Sequence, residues 1–510
     1  MAGIKSLVKD TAIYGLSSIV GRFLNWMLVP LYTIMFPVAE YGVVTFVYSV
    51  VALAMVILTY GMETGFFRFG NHEKWTDPLE VYSTSLMSLG VSSAAFVVLV
   101  LSFLGPVTRW MECDGHPSYV VMMAVCVALD AFMTIPFAYL RYRKRPMRFA
   151  TLKLINIGLN IGLNLFFILL CPKLLELWPE TVSHFYDPDF GIGYIFLSNL
   201  IASAVNMVLL IPELKGFRWR FNGTLWRAMM AYSAPLLVLG VAGVMNQTID
   251  KILYPHLVSD PDEAMYGLGI YGANYKIGLL LLVFLQAFRF AYEPFIFARS
   301  KEAAQQSGSG DAASQRNRAY SDAMKYFVVF ALFIFLGVMY YLDFIRYLIS
   351  PRYFSGLRVV PLIMLGELFF GVFFNLSVWY KLTDRTMYGM WFSLFGLAIT
   401  LVLNVVLVPH FGYMGCAVAA MCSYGSMMVA SYVTGQRKFP IDYRLRRLGV
   451  YVLLAAVLYA AGFYGINMLG LHAAVAAGLR LVLLAVYVLV FVRIEKINPR
   501  SELRAILHRR

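Results

Sequence analysis

Polar positions cut this chain into fourteen long apolar runs. They cover residues 11–36, 41–62, 82–104, 119–140, 152–170, 190–211, 228–249, 268–290, 326–348, 359–380, 388–408, 413–434, 448–469 and 472–492. Each is close to the ~20 residues a helix needs to cross the hydrocarbon of a bilayer. Backbone amides in lipid find no water to bond, so only helices or closed barrels cross, and continuous runs of this length predict helices. The pattern predicts an all-α polytopic membrane protein of about 14 transmembrane helices.

Composition agrees. Of 510 residues, 60% are hydrophobic and only 14% are charged, more apolar surface than a soluble chain could bury. The net charge of +14 would suit nucleic acid, but its placement argues otherwise. With the N-terminus taken as cytoplasmic, the inner segments and their edges hold 32 Lys and Arg, and the outer ones hold 6. That split follows the positive-inside rule, so both ends are expected in the cytoplasm and no nucleic-acid partner is expected. The first run is too long for a cleavable signal peptide and lacks a small-residue cleavage site.

Little is left over for soluble chemistry. The longest inner loop, 299–325, contains "QQSGSGDAASQRN" and reads as a flexible linker. The five cysteines show no CxxC spacing and the seven histidines no HExxH cluster, so neither a disulfide framework nor a metal site is expected. Two DPD triplets, Asp187–Asp189 and Asp260–Asp262, could suggest metal and nucleotide-sugar binding. They fall in short outer loops, where Asp-Pro turns are the simpler reading.

A weak internal repeat is present. Tyr41-Gly42 opens run 2 with Glu63 following; Tyr271-Gly272 lies in run 8 with Glu293 at the same spacing. Leu163-Asn164 matches Leu403-Asn404, and Phe190-Gly191 matches Phe411-Gly412, all at offsets of 220–240 residues. This maps runs 1–6 onto runs 7–12 in the same direction, which implies two six-helix bundles related by a pseudo-twofold axis along the membrane normal. The expected organisation is an N-terminal lobe over 1–212, a cytoplasmic linker over 213–227, a second lobe over 228–435, and two additional helices with a basic tail over 436–510. A cleft between such bundles is where a rocking transporter holds its substrate.

Charges inside the runs mark candidate chemistry. A central arginine costs roughly 2.5–3.5 kcal/mol to insert, so Arg22 needs water or a partner. Ser18, Arg22 and Asn25 share one helix face, opposite Ile19, Phe23 and Met27. Gln286, Arg289 and Glu293 form a second stripe, with Lys276 deeper on the same run. These groups line a cavity or form structural pairs: Arg22 with Glu63 or another carboxylate, Arg289 with Glu293. Arg480, in an extra run, reads as structural or lipid-contacting. Asp130 and Glu367 sit mid-run, Glu63 and Asp250 at run ends, and each could couple transport to a proton or sodium ion or serve as a static partner. No cofactor beyond such a coupling ion is expected.

The "VGRFLN" of run 1 followed by Pro30, the basic "LRYRKRPMRF" leading into "LINIGLNIGLNL", and Asp250-Lys251 closing run 7 together resemble the oligosaccharide (Wzx-type O-antigen) flippases. These belong to the multidrug/oligosaccharidyl-lipid/polysaccharide (MOP) exporter superfamily. The resemblance implies alternating-access movement of undecaprenyl-pyrophosphate-linked oligosaccharide across a bacterial inner membrane. It further implies a cationic cavity served by Arg22 and Arg289, and polysaccharide-assembly proteins such as a polymerase as partners. Lys276 competes with Arg289 as the substrate-contacting cation of run 8. A multidrug exporter of the same superfamily would need an acidic pocket, for which Asp130 and Glu367 are the candidates. A glycan polymerase or ligase would need a large outer catalytic loop, which is missing here.

Overall fold

The computed structural model describes residues 20–21, 23–71, 75, 77–113, 115–289, 292, 296, 310–383 and 385–496. Among these residues there are helices and connecting turns and no strand. Twelve helices are long and apolar enough to cross a membrane, and a bent pair counted as one span makes thirteen. A shorter apolar helix, Phe23–Met35, is the described part of the first predicted run. Every predicted run is thus represented, and the chain is an all-α multi-pass membrane protein.

In chain order the helices are α1 (Phe23–Met35), α2 (Val38–Gly70), α3 (Pro78–Ser102), α4 (Pro117–Tyr142), α5 (Pro146–Leu177), α6 (Gly193–Leu214) and α7 (Gly223–Leu257). They continue with α8 (Pro261–Gly278 plus Leu280–Arg289), α9 (Ser314–Tyr340), α10 (Pro351–Leu382), α11 (Met387–Phe411), α12 (Tyr413–Lys438), α13 (Leu445–Met468) and α14 (Ala473–Ile494). Local chemistry sets several starts. Proline opens α3, α4 and α5, where its missing N–H costs nothing. Asp77 caps α3 by accepting from the Leu79 amide at 3.0 Å, and Asn222 caps α7 by accepting from Thr224 and Leu225. Both DPD triplets are turns of the same kind: Asp187 accepts from the Asp189 amide and Asp260 from the Asp262 amide, each at 3.0 Å.

The helices are interrupted at defined places. Tyr60 and Gly61 both adopt left-handed backbone, with φ of 34° and 70°, and break α2 after Thr59. A wider turn interrupts α5 at Phe166–Leu170 and α13 at Ala460–Gly465. The two segments of α8 meet at a bend of 44°.

By packing, the chain divides into two compact units that cut across the repeat-based lobes. The first comprises Met1–Lys276, Ile349–Val359 and Thr386–Ser423. Its α7 lies against both α11 and α2. Aromatic packing under α2, α3 and α4 centres on Phe66, with Tyr82 and Tyr139 at 4.4 Å between ring centroids. The close approach of α2 to α8 depends on glycine. A Cβ on Gly42 would strike the Met265 carbonyl oxygen, and one on Gly269 would strike that of Val38. Small residues at such contacts let helix backbones meet where lipid supplies no hydrophobic force.

The second unit comprises Ile277–Leu348, Val360–Arg385 and Tyr424–Arg510. Here α9 packs on α10, α13 and α14. Arg480, buried on α14, is held by the carbonyls of Tyr340 (2.8 Å) and Gly462 (3.3 Å), the Asn467 side chain (2.7 Å) and Asp343 (3.3 Å). Its role is to join α14 to α9 and α13. The large apolar side chains left outside, such as Val98, Leu453 and Leu489, are those a bilayer would cover.

Candidate functional site

The charged groups of the membrane-crossing helices sort into clusters within each unit. In the first unit, α7 carries Asp250 and Lys251 side by side. The sequence placed them just beyond run 7, at the outer edge. The structure corrects this: the helix continues to Leu257, and both residues lie buried inside it. Two neighbouring charges can be buried because they neutralise each other. Lys251 Nζ lies 3.0 Å from Asp250 Oδ1 and also donates to the Gln247 carbonyl at 2.9 Å. The Tyr271 hydroxyl on α8 donates to Asp250 Oδ2 at 2.6 Å. The ammonium stands 3.7 Å from the centre of the Tyr275 ring. One turn before Asp250, Asn246 donates to the Ser393 carbonyl on α11 at 2.9 Å, which ties the polar stripe of α7 to its neighbour.

Lys276 follows on α8, one residue past Tyr275, and is exposed. No carboxylate pairs with it among the described residues. Trp26 of α1 donates its indole N–H to the Lys276 carbonyl at 3.0 Å, so α1 meets α8 beside this cation. Asn25, next to Trp26, is exposed. Arg22 and Glu293 lie outside the described residues.

Two further acids of the first unit, Asp130 and Glu63, have partners. Asp130 of α4 is half-buried and accepts from the Ser203 hydroxyl of α6 at 2.8 Å, with Cys126 one turn away at 3.9 Å. Glu63 is ion-paired with Arg141 of α4. Arg141 also stands 5.1 Å from the Phe67 ring.

In the second unit, Arg289 ends α8 with its guanidinium 4.1 Å from the centre of the Phe374 ring on α10. Lys381, farther along α10, places its ammonium 4.5 Å from the same ring. Glu367 is buried two turns before Phe374 on that helix. Two cations beside one aromatic ring form a cation–π arrangement. Lys276 and Arg289, candidates on one predicted run, fall in different packing units.

Sequence reasoning missed Tyr271, Tyr275, Phe374 and Lys381. The Tyr271/Tyr275 spacing of four residues beside Lys276 was the available signal for the first pair. Lys381 was counted with its inner loop, which hid its place on α10.

A family model described as "Polysaccharide biosynthesis protein" matches residues 7–297, more than half the chain. The chain belongs to this polysaccharide biosynthesis protein family. Across 302 residues it is 18% identical to an uncharacterized membrane protein of Haemophilus influenzae, covering 58% of this chain and 67% of that one. Among solved structures it resembles the lipid II flippase MurJ in an inward closed conformation, with a TM-score of 0.68, 12% identity, and coverage of 95% of this chain and 99% of MurJ. It also resembles an inward-facing multidrug resistance MATE transporter of the MOP superfamily, with a TM-score of 0.64, 12% identity and coverage of 86% and 95%. At these identities the likeness establishes the fold, which is that of the MOP exporters. The resemblance drawn from the loop and helix motifs is upheld at the level of the polysaccharide biosynthesis protein family.

Proposed function

We propose that this protein is a flippase that carries undecaprenyl-pyrophosphate-linked oligosaccharide from the cytoplasmic to the outer leaflet of a bacterial inner membrane, by alternating access, in surface polysaccharide or O-antigen synthesis. Both termini are cytoplasmic in this reading. The observation that carries it is Lys276: an exposed lysine on a membrane-crossing helix of a polysaccharide-biosynthesis family member, with no carboxylate paired to it among the described residues. A cation there is costly unless it meets water or an anion. A pyrophosphate is such an anion, and Lys276 offers it a point charge.

Two of the candidate acids are already engaged, Asp250 by Lys251 and Tyr271 and Glu63 by Arg141. Arg22, Asn25 and Arg289 are each assigned as further contacts for the anionic substrate. Asp130, bonded to the Ser203 hydroxyl and half-buried, is the carboxylate best placed to take up a coupling proton or sodium ion. Glu367, Glu293 and Asp250 are assigned to gating or charge balance.

The test is deletion of the gene followed by complementation. Loss of surface polysaccharide with build-up of lipid-linked precursor, reversed by wild type and not by Lys276→Ala or Arg22→Ala, is the expected result. Unchanged polysaccharide together with impaired drug efflux would move the assignment to the multidrug branch.

A further inference from the structure

A cavity of about 900 Å³ opens within the second unit, lined by the first turns of α9, the end of α12 and the loop that leads into α13. Arg318 from α9 and Arg444 from the loop both line it, together with Asn317, Gln436, Tyr432 and Tyr443. None of these residues belongs to the cation clusters described above. The cavity lies where three membrane-crossing helices end on one side, the side to which the loop charges assign the cytoplasm.

The lining carries two guanidinium groups against one carboxylate, Asp442. Arg318 is exposed, and no carboxylate pairs with it among the described residues. Among the described residues Arg444 pairs with the Asp322 carboxylate at 3.6 Å, and that carboxylate also serves Lys325 at 3.2 Å. The Asp442 side chain accepts from the Arg444 amide at 2.9 Å, which turns the loop locally. Gln436 donates to the Ile441 carbonyl at 2.7 Å and pins the loop to α12. Arg444 itself has φ of 48°, a left-handed conformation that costs energy for a residue with a Cβ. Such a cost persists where the surrounding structure over-determines the conformation. Pro440, Ile441 and Leu445 add an apolar wall beside the charges.

We infer that this cavity binds the phosphate-bearing head group of an anionic compound at the cytoplasmic membrane surface. Two guanidinium groups offer the paired N–H donors that suit phosphate oxygens, and basic pockets at helix ends on this side of the membrane match anionic lipid head groups. The volume exceeds that of a single phosphate and accommodates a substituted one. The same chemistry would hold a free pyrophosphate, so the source has to be settled by experiment.

The test uses the full chain in nanodiscs of phosphatidylcholine doped with phosphatidylglycerol, with retained lipid read by native mass spectrometry and inorganic pyrophosphate as competitor. Arg318→Glu and Arg444→Asn are the variants; asparagine tolerates the left-handed backbone while removing the charge. Arg220→Glu, on another exposed loop, controls for net charge. The expected result is retention of phosphatidylglycerol by wild type and by Arg220→Glu, and a loss of about tenfold or more in each cavity variant. Displacement by pyrophosphate would assign the site to a soluble phosphate compound, and failure to displace would assign it to the lipid head group. Retention unchanged in both variants, or reduced equally in the Arg220→Glu control, overturns the proposal. Size-exclusion profiles matching wild type confirm that any loss is not unfolding.

Discussion

Two lysines near each other in sequence do different work because their surroundings differ. Lys251 is buried against Asp250 and the rings of Tyr271 and Tyr275, and its charge is spent on that contact. Removing one member of a buried pair leaves the other uncompensated, a cost of about 3–5 kcal/mol. Asp250→Asn or Lys251→Met alone should therefore lower thermal stability strongly. The double variant should recover much of that loss, as measured by unfolding in detergent. Lys276 has no such partner among the described residues, so Lys276→Ala should leave stability nearly unchanged while reducing transport about tenfold or more, with Lys276→Arg retaining a substantial part. Transport measured in complemented cells alongside the melting temperature separates the two effects. At this scale the sequence showed Asp250 and Lys276 because a charge stands out in an apolar run. It hid the role of Lys251, since the run was ended at Ile249 while the helix goes on to Leu257. It also hid Tyr271 and Tyr275, because a tyrosine in such a run looks the same whether it holds a carboxylate or merely fills space.

At the scale of helices, the contacts that fix neighbours are small residues and a few polar clasps. Gly42 and Gly269 allow α2 and α8 to approach until a Cβ would meet a backbone carbonyl. A carbonyl cannot swing aside as a side chain can, so Gly42→Val should destabilise the fold by ~1–3 kcal/mol or more, read as a lower melting temperature. The extra helices are fastened differently. Glu495, just past α14, accepts from Lys325 of α9 at 2.6 Å and from Tyr451 of α13 at 2.7 Å. Burial alone would raise its pKa. The Lys325 and Tyr451 hydrogen bonds outweigh burial and hold the carboxyl below its ordinary 4.5. A depressed folded value means stability that is present above the unfolded value and lost as the pH falls through the folded one. Wild type should therefore lose more thermal stability than Glu495→Gln when the pH is taken from neutral to below about 4.5, and equal losses would contradict the clasp. The helices themselves were legible from hydropathy. The glycine contacts were only half legible: Tyr41-Gly42 and Tyr271-Gly272 were noticed as a repeat, but a sequence does not say which backbone a glycine faces.

For the molecule as a whole, fourteen apolar runs, the family match over residues 7–297 and a fold like that of MurJ and a MATE transporter agree on a multi-pass membrane protein of the polysaccharide biosynthesis protein family. Reporter fusions at the loop between α8 and α9 and at the loop between α12 and α13 should both read as cytoplasmic, as the distribution of Lys and Arg requires. Which glycan is carried was not legible, because sugars are recognised by hydrogen-bonding groups whose placement depends on the folded cavity and leaves no periodic signal in a chain this apolar. The decisive measurement is flipping itself. Purified protein in liposomes carrying undecaprenyl-pyrophosphate-linked oligosaccharide in the leaflet of the α12–α13 loop should expose the glycan on the opposite side, scored by a lectin or glycosidase that cannot cross. Wild type is expected to expose it and Lys276→Ala to lose most of that activity. Glycan that stays inaccessible with wild-type protein, under both proton and sodium gradients, would contradict the account.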